Sequence, residues 1–132
     1  AVLTTIHANS CEATYRRMVS LCKRAVDMSD ETLMGYVTEA YPIIVFCKQL
    51  ENKQRRMMEI MECEIMPDGT RNYRTLFQYV ITDNHMDGNG KFVIDGHHER
   101  KKNISNSLAK RLLENGMPLE MIENMKVKEE FC

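Results

Sequence analysis

Two tight-turn signals set the frame for this chain. In Pro67-Asp68-Gly69 and Asp87-Gly88-Asn89-Gly90, aspartate can bond its own turn and glycine supplies left-handed backbone. Three segments of strand character surround them. Met61, Cys63 and Ile65 alternate with Glu62 and Glu64, which predicts a strand with one dry face and one wet face. Residues 73–82 are rich in aromatic and β-branched types, and residues 91–95 form a shorter run. Three strands closed by tight turns predict an antiparallel meander.

Helical signals flank this region. Residues 1–6 are apolar or β-branched and predict a buried strand. Asn9, three residues before Glu12, predicts a capped helix whose buried stripe is Met18, Leu21, Cys22 and Ala25, with Lys23 and Arg24 near its end. Ser29 caps a second helix, with Asp30 and Glu31 in its first turn and Leu33, Val37 and Ala40 on one face. Pro42 stops it, and residues 43–47 follow as a wholly apolar, fully buried strand. At the far end Ser105 caps a helix that turns Leu108, Leu112 and Leu113 inward, and Gly116 ends it. Pro118 opens a last short helix through Met121, Ile122 and Met125, and residues 126–132 are expected to fray. Strands separated by helices predict a parallel sheet covered by helices, with the meander appended to it.

The 132 residues suffice for one compact domain with its own core. With 18 basic and 19 acidic residues, balanced charge gives no global pull toward nucleic acid, and none is expected as a partner. No apolar run approaches the roughly 20 residues that span a bilayer. The five cysteines are odd in number and form no Cys-x-x-Cys pair, so they read as free thiols of a reducing compartment. The opening Ala-Val-Leu-Thr-Thr, with no initiator methionine, reads as a boundary inside a longer protein.

Few residues carry a chemical signature. Gly90-Lys91 is the only Gly-Lys pair, and Phe92 stands where a phosphate loop needs Ser or Thr. Residues 83–94 have calcium-loop spacing at Asp83, Asp87 and Gly88, but His85 and Ile94 occupy ligand positions, so a hairpin turn is expected. The four histidines lack zinc-site spacing, and no metal site is expected. His97-His98 beside Arg100-Lys101-Lys102 reads as a solvated basic loop. His7 differs from these. It follows an apolar run and precedes a helix, the location where α/β sheets bind ligands and where a histidine can donate to a phosphate oxygen.

The segment Thr4-Thr5-Ile6-His7-Ala8-Asn9-Ser10 resembles the histidine box of the hexameric ATPases of type II and type IV secretion and of type IV pilus systems. Within that family the Flp/Tad pilus-assembly branch is most similar. Arg17-Met18 matches the arginine and apolar residue that follow the box, and Glu31 through Phe46 matches the next helix and strand. Gln49, Leu50, Arg55, Arg56, Glu59 and Ile60 match a later run, and Ser107 through Leu113 with Pro118 resembles the branch's closing helices. Residues 64–100 depart most.

The resemblance implies an α/β fold: the C-terminal half of a RecA-like, P-loop NTPase core, with an appended meander and C-terminal helices. Its divisions are residues 1–50 for the core portion, 51–102 for the meander and 103–132 for the helices. It also implies a parent that couples ATP hydrolysis with magnesium to protein export or pilin assembly, as a hexameric ring against an inner-membrane platform protein, in the cytoplasm at the inner face of the membrane. This segment lacks the phosphate loop, is expected to bind no cofactor and is expected to be inactive alone. His7 carries over as a γ-phosphate sensor; Arg17, Arg55 and Arg56 carry over as interface or phosphate contacts. The alternative is a non-enzymatic interaction module of a secretion or conjugation system, docking through the meander. A cut sheet would expose apolar edges, so the isolated chain is expected to self-associate.

Overall fold

The computed structural model describes residues 2–126. The order is α1 (Cys11–Cys22), α2 (Asp30–Ala40), β1 (Ile43–Gln49), β2 (Arg55–Ile65), β3 (Arg71–Met86), β4 (Phe92–Arg100), α3 (Asn106–Glu114) and α4 (Leu119–Met125). The combination of helices and sheet matches the expected class, but the sheet is antiparallel throughout, in the order β1-β2-β3-β4. The expected parallel sheet is therefore corrected. Residues 43–47 do form a strand, but it pairs antiparallel with β2 and extends the meander to four strands. Its expected full burial is corrected too, since as an edge strand it leaves Val45 and Cys47 exposed. The boundary drawn at residue 50 falls in the turn joining β1 to β2.

The strand expected at residues 1–6 is also corrected: residues 2–6 carry no strand, and Ala1 lies outside the described residues. β-propensity becomes a strand only where a ladder accepts the backbone groups, and no described strand pairs with this segment. The other strands run longer than expected, because cross-strand bonding carries pairing through polar residues such as Asp83 and Asn84.

Ser10, rather than Asn9, caps α1, its hydroxyl accepting the Ala13 N–H at 3.1 Å. The buried stripe is accordingly Cys11, Thr14, Tyr15, Met18 and Val19; Leu21 and Ala25 are exposed and Cys22 is half-buried. Ser29 caps α2 as expected, and Leu33 and Val37 are buried with Thr38, while Ala40 is exposed. These two stripes close on Ile44, Met61 and Cys63 to form the main core, with Tyr73 packed against it.

The pleat sends Glu62 to the opposite face from Met61 and Cys63. There α3 covers it, so the expected wet face is corrected: Glu62 is 1% exposed, while Ile65 is exposed. Leu113 likewise faces solvent, and Ala109 takes the buried position on α3. Gly69, Gly90 and Gly116 adopt the left-handed backbone their turn and cap positions require. Gly96 meets a different demand, since the Tyr79 ring lies over it and an added Cβ would stand 2.4 Å from the Val80 carbonyl oxygen. Among the described residues no helix is long and apolar enough to cross a membrane.

Candidate functional site

His7 stands three residues before the cap of α1, in a segment without regular secondary structure that lies beside β1. β1 is an edge strand, so the side facing this segment has no ladder. An open cleft of about 450 Å³ separates the two, lined by Ile6, His7, Met18, Tyr41, Ile44 and Phe46 among others. The imidazole is exposed and makes no hydrogen bond or ion pair among the described residues. It is therefore free to donate to an anion entering the cleft.

Arg17, Arg55 and Arg56 do not line this cleft. Arg17 is exposed on α1. Arg55 is exposed at the start of β2. Arg56 is held more firmly: its guanidinium lies 5.6 Å from the Tyr79 ring centre and donates to Gln54 Oε1 at 2.5 Å. His98 completes that stack, its ring 5.0 Å from Tyr79 and its Nε2 2.9 Å from the Met57 carbonyl oxygen. His97, His98 and Arg100 thus belong to β4, which corrects the expected basic loop. His97 and Lys101 flank Glu99 at 2.7 Å each.

The only Gly-Lys pair is part of a hairpin turn whose amides are already used. Asp87 Oδ1 accepts the N–H of Asn89 at 2.8 Å and of Lys91 at 3.0 Å. These groups cannot cradle a phosphate without unmaking the turn. Among the described residues no three His, Cys, Asp or Glu side chains are placed to hold a metal ion.

One site escaped the sequence reading. Glu62 accepts the Ser105 N–H at 2.9 Å and the Ser105 hydroxyl, while Ser105 Oγ accepts the Leu108 N–H at 3.0 Å. This is a capping box split between elements. Its usual acid at the third helical position is replaced by Leu108, and β2 supplies the carboxylate instead. Leu108 at that position was the available signal.

The buried thiol and phenol on the inner side of α1 titrate abnormally. Burial, then the nearby Glu59 carboxylate, pushes the Cys11 thiol up from 9.0 to about 12. Burial raises Tyr15, Cys63 and Tyr73 as well. Raised acids hold their protons longer when folded, so the Cys11 contribution is complete below about pH 9 and is lost as pH climbs toward about 12. The unfolding free energy should fall across that window, with Cys11 alone contributing on the order of 2 kcal/mol near pH 11. Urea melts at stepped pH check this, and Cys11→Val should flatten the decline.

The chain matches no protein-family model and no curated protein sequence.

Proposed function

We propose that residues 1–132 are the C-terminal part of the motor domain of a secretion or pilus-assembly ATPase of the type II and type IV class, closest to the Flp/Tad branch. In this reading α1, α2 and β1 belong to a RecA-like core, and the unpaired edge of β1 is where the rest of that core joins. The observation that carries the reading is the Thr4–Ser10 box, with its histidine exposed, without a partner among the described residues and beside an open cleft ahead of α1. His7 donates a hydrogen bond to the γ-phosphate of ATP held with magnesium by the parent's own loop. The Gly90 turn offers no phosphate cradle, its Asn89 and Lys91 amides being taken by Asp87. The parent works as a hexameric ring at the cytoplasmic face of the inner membrane, against a platform protein. Arg17 and Arg55 lie exposed, as subunit or phosphate contacts must; Arg56 contributes from its stack on Tyr79.

The test uses the gene product that contains these residues. A G-x-x-x-x-G-K-[S/T] loop should lie upstream, and His7→Ala should cut ATP turnover by roughly a hundredfold with nucleotide binding retained. No such loop, or unchanged turnover, sinks the assignment. The second reading, a non-enzymatic interaction module, draws on the projecting β3–β4 ribbon with its exposed Ile81, Met86 and Phe92. Under that reading, changes within residues 84–100 abolish partner binding and His7→Ala has no effect on turnover.

A further inference from the structure

Two cross-strand pairs in this sheet set like charges directly opposite each other. Lys48 faces Arg56 across β1 and β2, and Asp83 faces Asp95 across β3 and β4. Such placements are destabilising within a chain. Relief within the chain is partial: among the described residues Lys48, Lys53, Arg55 and Arg56 form no ion pair, though Arg56 donates to Gln54 and stacks on Tyr79, while Asp87 and Asp95 form no ion pair and Asp83 pairs with His85.

The surroundings reinforce each sign. Around the β1–β2 turn, Lys48, Lys53, Arg55 and Arg56 are opposed only by Glu51. Within residues 81–95 of the β3–β4 ribbon, Asp83, Asp87 and Asp95 are opposed only by Lys91, apart from His85. Next to these aspartates, Ile81, Met86 and Phe92 are exposed, which offers apolar surface to bury.

Topology fixes where the two lie. In a meander successive turns alternate ends, so the β1–β2 and β3–β4 turns share one end of the sheet. The strand order puts them on opposite sides of that end. Copies set side by side in one orientation therefore bring the acidic ribbon of one to the basic turn of the next. That contact is heterologous, the kind that forms a ring where its rotation closes and a filament where it does not.

We propose that the Asp83/Asp95 ribbon of one copy docks on the Lys48/Arg56 turn of the next. The contact rests on the ring reading above and names its interface. Each like-charge pair is costly in the monomer and is neutralised across the contact, which steers association and fixes its register.

The experiment is sedimentation of the full chain against concentration and salt. Wild type should self-associate at about 0.1 M salt and weaken at about 1 M, where the screening length falls from about 10 Å to about 3 Å. Lys48→Glu/Lys53→Glu and Asp83→Lys/Asp95→Lys should each weaken association by roughly tenfold or more, and an equimolar mixture of the two should restore it. The neutral variants Lys48→Gln/Lys53→Gln and Asp83→Asn/Asp95→Asn keep the test open if a reversal misfolds. They should weaken association while leaving the monomer at least as stable, which general destabilisation would not do. A chain that stays monomeric at low salt, or an assembly indifferent to these changes, overturns the contact. ATP turnover by the parent is a separate readout, so failure of the contact and failure of the motor assignment are told apart.

Discussion

Replacing Tyr15 with alanine will lower the unfolding free energy by about 3–5 kcal/mol, a large share of the roughly 5–15 kcal/mol a domain of this size holds. Tyr15 is 0% exposed and belongs to the cluster that joins α1 and α2 to the sheet. Its ring lies 6.1 Å from that of Tyr73 at an interplanar angle of 30°, so truncation removes both the buried area and an aromatic pair. Its hydroxyl donates to the Tyr41 carbonyl at 2.5 Å, and Tyr41 is the C-cap of α2. A helix-end carbonyl has no intrahelical donor, so this bond ties the end of α2 to α1. Tyr15→Phe keeps the ring and removes only that bond, at about 1–3 kcal/mol. Urea melts followed by circular dichroism give both values. If the phenylalanine variant matches wild type, water satisfies the Tyr41 carbonyl and the hydroxyl has no structural share. If it costs as much as alanine, the bond rather than the ring anchors the helices.

The elements whose signals are local were legible. Ser29, Ser105, Pro42, Gly69, Gly90 and Gly116 each act through a few neighbouring residues, and each stands where it was expected. Pairing direction is not local. Residues 43–47 have the apolar run of a strand buried on both faces, but the neighbour that determines its direction is β2, reached through a turn at Lys53 with φ 67°. Nothing in an apolar run distinguishes that hairpin from a parallel crossover. The same limit applies to residues 2–6, where propensity was present and a ladder was not.

The candidate site was legible only in part. His7 is exposed next to a helix start, as its position before the cap implies. That the cleft beside it is formed by β1 depends on tertiary packing. The like-charge pairs were invisible because register is set by bulges: shifts between Phe46 and Cys47 and between Ile81 and Asp83 determine which residues face each other.

Glu62→Leu will release α3 and α4 from the sheet while leaving the meander folded. Alternation along β2 marked Glu62 as solvent-facing; instead it is sealed under α3, with Ser105 also 1% exposed. Leucine leaves the buried Ser105 N–H without an acceptor, at about 1–3 kcal/mol, and leaves the Ser105 hydroxyl only Ser107 Oγ, 2.9 Å away. Arg74, directly opposite in β3, keeps Glu64 at 3.4 Å, so the sheet retains its own pairing. Among the described residues, further polar ties of this segment include Arg74 to the Asn103 carbonyl, the Lys101 N–H to the Leu76 carbonyl and Arg100 to the Met125 carbonyl, all at its margins. A loss at the central tie therefore falls on the docking of α3 and α4 rather than on the sheet. Amide exchange should rise across Asn106–Glu114 and Leu119–Met125 and stay slow in β2 and β3. Glu62→Gln, which still offers a carbonyl to the Ser105 N–H, should show a smaller rise in the same residues. Uniform acceleration through the sheet would place Glu62 in the global core, and no change in either variant would mean that apolar packing of Ala109 and Ile122 holds the helices without it.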